Sequence, residues 1–366
     1  MPHLTGNDSP NLAPQAFSNT LLQWFDHCGR HDLPWQKDKT PYRVWVSEIM
    51  LQQTQVTTVI PYYERFMASF PTLQSLAIAS EDQVLAHWAG LGYYARGRNL
   101  HKTAKICVEE LGGEIPTTLE SLQALPGIGR STAGAILSIS QNLRAPILDG
   151  NVKRVLCRYL GMQTWPGERN TEKKLWQIAD SFTPHERVDD YTQAIMDLGA
   201  TLCSRSKPAC HRCPFSDSCW AYKNEKTATL PVRKPTKSIP TQRVWVLIIR
   251  NESGELFLEK RPPSGIWGGL WTLPQLAEAD DTAQQIEQRV EDLAKRNDWT
   301  VTSTQTQPLL KHTFSHFHLH MTPIAIQLAG KSMSYNSINE APQQWATKDQ
   351  LDTIGLPAPI KKLLNS

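Results

Sequence analysis

The sequence predicts two domains of different class, an all-α domain followed by an α/β domain. Three observations carry this. The 366 residues exceed one ordinary core, the apolar period changes from helical to alternating partway along the chain, and a Pro-rich basic stretch marks the change. The formal charge of +3, from 38 basic and 35 acidic residues, is too small to imply a polyanion partner by itself. Residues 1–222 carry 21 of each sign, residues 223–243 carry 6 basic and 1 acidic, and residues 244–366 carry 11 and 13, so the excess sits in the middle.

Residues 1–16 are rich in Pro, Asn and Ser and are expected to be disordered; no charged start followed by an apolar run reads as a secretory signal. No apolar run reaches the ~18 residues of a membrane span. A cytoplasmic, reducing setting is expected, in which the seven cysteines do not form a disulfide framework. From residue 17 to 222 the pattern is repeatedly helical. Leu100, Ala104, Cys107, Val108 and Leu111 recur at helical spacing and stop at Gly112-Gly113. Thr117 with Glu120 reads as a capping box. Val152, Val155, Leu156, Tyr159 and Leu160 form an apolar face ended by Gly161, and Tyr191, Ala194, Ile195, Leu198 and Leu202 form another. Residues 223–242 hold three prolines and little apolar content, the composition of an extended linker. From 243 to 366 an α/β domain is expected: a hairpin of 243–250 and 256–261, a helix over 282–295, strands at 308–314 and 316–327, and a short C-terminal helix.

Three features carry chemistry. Cys203, Cys210, Cys213 and Cys219 have the spacing C-x6-C-x2-C-x5-C, compact enough for four thiolates to wrap one metal centre. Zinc competes with an iron–sulfur cluster here, although structural zinc sites favour paired short knuckles and only one C-x2-C occurs. Arg205, Lys207 and Arg212 in the same loop suit phosphate contacts. The turn Leu125-Pro126-Gly127-Ile128-Gly129 lies between helical segments, and its Gly127 and Gly129 allow backbone N–H groups to face a phosphate oxygen. A plain helix–turn–helix connection looks similar. Asp149 follows 20 residues after Gly129, ahead of the helix from 151, where an aspartate ordinarily serves as an N-cap.

Longer motifs decide between these readings. LPWQ at 33–36, SEIMLQQTQV at 47–56, GLGYYARGRNLH at 90–101, LPGIGRSTA at 125–133, ILDGNVKR at 147–154 and the four cysteines occur in one order, followed by RPPSGIWGGLW and HTFSHFHL. Over nearly its whole length the chain resembles the helix-hairpin-helix DNA glycosylase superfamily and, within it, the adenine glycosylases; the second domain resembles a Nudix fold. The resemblance implies a monofunctional enzyme that removes adenine opposite 8-oxoguanine or guanine from double-stranded DNA, acts as a monomer and carries a [4Fe–4S] cluster on the four cysteines.

That reaction asks for an acid and an anion. Glu48 lies in a run of Val44, Trp45, Val46, Ile49, Met50 and Leu51, so burial should raise its pKa and keep a proton available for the leaving base. Asp149, ahead of a helix N-terminus that favours its ionised form, is the candidate for stabilising the oxocarbenium-like sugar, with Asn151 orienting it. By resemblance, Gln52, Gln53 and Tyr93 fill the stack vacated by the flipped base, Leu33, Trp35 and Gln193 line the adenine pocket, and Phe314, Ser315 and His316 read 8-oxoguanine. Ser131 stands where bifunctional endonuclease III-like lyases, the rival reading, carry a lysine. A redox-sensing DNA-binding protein without catalysis would be expected to lack Glu48 or Asp149. His312, His316, His318 and His320 alternate as if on one strand face, without the companion ligands of a zinc site. The stretch after Trp271 lacks a REx2EE box, so pyrophosphate hydrolysis is not expected.

Overall fold

The structure, a computed structural model, describes residues 12–234, 238–277, 283–314, 316–330 and 342–365. The chain divides into two compact units, residues 1–77 with 102–236, and residues 78–101 with 237–366.

The helices run in the order α1 (Pro14–Cys28), α2 (Pro41–Leu51), α3 (Val56–Ser69), α4 (Leu73–Ile78), α5 (Glu81–Trp88), α6 (Ala95–Glu110), α7 (Leu119–Gln123), α8 (Arg130–Gln141), α9 (Gly150–Leu160), α10 (Arg169–Phe182), α11 (Val188–Asp197) and α12 (Trp220–Lys223). Residues 12–16, expected to be disordered, are ordered instead. Pro14 opens α1, where its missing N–H costs nothing, and the Leu12 N–H donates to the Tyr159 hydroxyl at 2.7 Å. The expected capping box at Thr117 lies one residue on. Thr118 caps α7 by accepting from the Ser121 N–H, and Thr117 does not. In the first unit α8 is the hub, with α2, α7 and α11 packed on it. Trp45 of α2 is fully buried, and truncating it to alanine would cost about 3–5 kcal/mol. Leu230, in the stretch expected to be linker, is buried, and its carbonyl accepts from Arg158 Nε.

The second unit carries an eight-stranded mixed sheet: β1 (Thr241–Arg250), β2 (Leu256–Lys260), β3 (Trp271–Thr272), β4 (Gln275–Ala277), β5 (Thr300–Thr306), β6 (Leu310–Thr313), β7 (His318–Ala329) and β8 (Gln343–Ala346). The order β3-β2-β1-β7-β5 is antiparallel except for β1 and β7, which pair in parallel from Thr241↔His318 to Arg250↔Gln327. Helix α13 (Ala283–Arg296) covers one face through Ile286 and Val290, packed with Leu247, Ile249, Phe257, Ile324, Ile326 and Leu328. Two short helices close the chain, α14 (Lys348–Thr353) and α15 (Ala358–Leu364), where one was expected. Strand β5, TVTSTQT, escapes a sequence reading because it is an exposed edge with almost no apolar alternation. The four histidines do not share a strand face. His312 lies on β6 opposite Leu319, His316 sits in the turn, and His318 and His320 lie on β7 opposite Thr313 and Lys311, so His312 points to the other side.

Candidate active site and cluster loop

Glu48 lies in the last turn of α2, which starts at Pro41 behind the N-cap Thr40 and ends where Gln52 leaves helical geometry. Gln53 takes a left-handed backbone, φ 57°, and is exposed, while Gln52 Nε2 donates to the Thr132 hydroxyl at 3.3 Å. The helix that follows the glycine turn is equally constrained. Gly127 has φ 78°, a conformation that a residue with a Cβ rarely adopts, and Gly129 is the N-cap of α8 without a side-chain hydrogen bond. The first amides of α8 therefore receive no hydrogen bond from an N-cap side chain.

Asp149 is presented by a segment tied to α8 at three points. Ser131 Oγ accepts the Leu148 N–H at 3.0 Å, Ser138 Oγ donates to the Ala145 carbonyl at 2.9 Å, and Gly134 lets the two backbones touch. A Cβ on Gly134 would stand 2.6 Å from the Pro146 carbonyl oxygen. Asp149 then caps α9 through Oδ1, which accepts the Val152 N–H at 2.8 Å, and Asn151 Nδ2 donates to Oδ2 at 3.2 Å. The N-cap role and the proposed chemical role thus coexist in one side chain.

The two carboxyls differ in what holds them. Burial among α2 and its neighbours pushes Glu48 up to about 8, and the nearby Asp149 charge adds to the shift. Asp149 is also raised, chiefly by burial, against the lowering from the Val152 and Asn151 N–H groups and the charge of Arg154. This corrects the expectation that the helix N-terminus alone would favour its ionised form: burial outweighs it. The Val152 and Asn151 N–H groups and the Arg154 charge favour the Asp149 anion, whereas the neighbouring Asp149 charge disfavours the Glu48 anion.

Sequence reasoning missed the groups behind Asn151. Arg154 Nη2 donates to Asn151 Oδ1 at 2.7 Å and to the Gly199 carbonyl at 2.8 Å, while its Nε donates to the Cys203 carbonyl at 2.7 Å. Gly199 lies in a π-turn over Leu198–Leu202, and a Cβ there would meet Asn151 Cβ at 2.6 Å. Arg158, 2% exposed, spreads its donors over the carbonyls of Cys203, Ser204 and Arg205, and also donates to Cys203 Sγ at 3.4 Å. Phe215 of the same loop stacks on Phe17 of α1, ring centroids 4.3 Å apart. A buried arginine has no periodicity signal, which is why these went unread.

Cys203, Cys210, Cys213 and Cys219 line one pocket of about 30 Å³, bordered by Arg158, Leu202 and Tyr222. Among the described residues no three His, Cys, Asp or Glu side chains are spaced for a single metal ion.

The remaining candidates fall in three places. Leu33 caps a 3₁₀ turn that contains Trp35; both are buried, Trp35 edge-on to Tyr63 at 5.4 Å. Gln193 is buried and donates to Asp197 Oδ1 at 2.8 Å, the oxygen that Arg30 also holds at 2.6 Å. Tyr93 belongs to the second unit. It has φ 48°, is 51% exposed, and lies 5.5 Å from the Arg96 guanidinium. In that unit Phe314 stacks on Phe317 at 4.7 Å and packs near Trp267, with His316 against Phe317; Ser315 lies outside the described residues.

Residues 46–181 match the HhH-GPD superfamily of base excision DNA repair proteins, and residues 244–366 match the NUDIX domain. The chain is 39% identical over 349 residues to the adenine DNA glycosylase of Buchnera aphidicola (subsp. Schizaphis graminum), covering 95% of this chain and 98% of that one. It is 34% identical to the Homo sapiens adenine DNA glycosylase, covering 95% and 73%. The chain belongs to the adenine DNA glycosylases. Among solved structures, a thermostable thymine-DNA glycosylase aligns with TM-score 0.54 and 26% identity, over 59% of this chain and all of that one. The fold class read from this adenine glycosylase's sequence, a helix-hairpin-helix domain followed by a Nudix-like one, is the one observed. None of its described helices is long and apolar enough to cross a membrane.

Proposed function

We propose that the protein hydrolyses the N-glycosidic bond of adenine opposite 8-oxoguanine or guanine in double-stranded DNA. The observation that carries this is the carboxyl pair of Glu48 and Asp149, one held protonated to about pH 8 and the other surrounded by anion-stabilising donors. Adenine leaves as a neutral base only when a ring nitrogen is protonated, and Glu48 supplies that proton once the base is flipped out of the stack. Asp149 stabilises the oxocarbenium-like sugar, and Asn151 and Arg154 fix its orientation. Ser131, its hydroxyl committed to the Leu148 N–H, offers no amine for a Schiff base, so the abasic strand stays intact.

The amides of Gly127–Gly129 bind a phosphate, and Gln52, Gln53 and Tyr93 occupy the opened stack. Leu33, Trp35 and Gln193 wall the adenine pocket, and Phe314, Ser315 and His316 read the lesion. The four cysteines suit a [4Fe–4S] cluster, because an all-thiol donor set borders one shared space. Cys203, Cys210, Cys213 and Cys219 would hold such a cluster through their thiolates, and it would brace the loop.

Glu48→Gln tests the assignment, because the amide keeps the shape and loses the proton. The variant should bind an A:8-oxoguanine duplex normally while single-turnover adenine release falls about 10²–10⁴-fold. Release within about tenfold of the parent rate would remove Glu48 from the acid role.

A further inference from the structure

Outside the candidate active site, a groove lies between the start of α8 and one face of α10. It encloses about 480 Å³ and is lined by Arg130, Arg169, Glu172, Lys173, Trp176, Gln177 and Asp180. Arg169, Lys173, Trp176 and Asp180 follow one another at i, i+4, i+7 and i+11, so the stripe faces the groove along its length. Both acids are already neutralised from outside it: Glu172 by Lys153 at 2.6 Å and Asp180 by Arg144 at 2.9 Å. Arg130, Arg169 and Lys173 have no ion pair among the described residues, so the groove keeps three uncompensated positive charges. The Arg130 guanidinium lies 4.0 Å over the Trp176 ring, which holds its planar fork in place and leaves its N–H groups available.

We infer that this groove binds the phosphodiester backbone of duplex DNA, as a contact separate from the glycine turn. The inference rests on the proposed DNA-repair function and extends it to a surface that the chemistry does not use. Two features favour DNA over an acidic protein. Arg130 directly follows Gly129, so a strand held by the turn amides continues into the groove. The large apolar side chain in the groove, Trp176, lies under the Arg130 guanidinium, so a partner meets a cation there rather than an open apolar centre.

The test is the salt dependence of binding to an unmispaired duplex of about 25 base pairs, measured for the full-length protein, since each phosphate neutralised contributes about 0.9 to the slope of log K against log salt. Arg169→Ala/Lys173→Ala should lower that slope by about 1.8, while the charge-matched Lys295→Ala/Arg296→Ala pair on α13 should leave it unchanged. Far-UV circular dichroism confirms that both variants are folded, and Arg169→Gln alone, a milder change on an exposed first-turn residue, should lower the slope by about 0.9. An unchanged slope in the groove variants, or an equal drop in the α13 pair, overturns the inference. Failure of the parent protein to bind duplex at all would instead overturn the underlying function.

Discussion

Glu48 shows how burial, with a neighbouring carboxylate, writes a pH dependence. Its folded pKa of about 8 lies above the usual 4.5 of an unfolded glutamate, so the native state retains a proton that the unfolded state has lost between those values. Stability contributed by the protonated form is therefore present below pH 4.5 and is lost as pH rises toward 8. Glu48→Gln removes that slope. Chemical denaturation should show the variant gaining on the parent protein as pH rises from 5 to 9, approaching about 5 kcal/mol, with little change near pH 4. A constant difference across that range would mean that Glu48 titrates normally. The parent's single-turnover rate should also fall above pH 8, as the acid form disappears. Ser131 makes a second residue-scale case. Replacing it with lysine removes the acceptor of the Leu148 N–H, costing about 1–3 kcal/mol, and puts an amine near Asp149. Ser131→Lys should yield a borohydride-trappable DNA adduct that the parent does not; adenine release without any adduct would show that Ser131 does not occupy the lyase position.

At the scale of elements, the site depends on how closely α8 approaches the segment before α9. Gly134 is the contact point, and Gly134→Ala places a methyl group 2.6 Å from the Pro146 oxygen, which must move. Melting should show a loss of about 1–3 kcal/mol, with adenine release falling further than stability explains, because the displaced segment ends at Asp149. Wild-type turnover in a destabilised Gly134→Ala protein would uncouple the segment from the chemistry. The elements also show what a sequence makes legible. The carboxyl pair, the glycine turn and the four cysteines stand out because their chemistry restricts residue type. Arg154, Arg158, Gly134 and Gly199 stay silent, since each makes contacts a dozen or more residues away in the chain. The helices of the first unit follow from amphipathic period, whereas the exposed strand β5 and the two-residue strand β3 have too little pattern to read.

The whole molecule does not divide where composition changes. Residues 78–101 form one unit with the C-terminal domain, through Lys260 and Asp82 at 2.7 Å and the Arg98 guanidinium on the Gly268 carbonyl. A protein cut after residue 222 loses these partners, so its melting temperature should drop by about 2–8 °C. It should also lose its preference for 8-oxoguanine over guanine, because Phe314–His316 goes with the deleted part. An unchanged preference would return lesion reading to the first unit. The most direct test of the central claim is single-turnover adenine release by the full-length protein from duplexes with A opposite 8-oxoguanine, guanine, cytosine or thymine. Release is expected from the first two, fastest opposite 8-oxoguanine, with strands that break only after hot alkali. Equal release from A:T pairs, or strand cleavage without alkali, would contradict that claim.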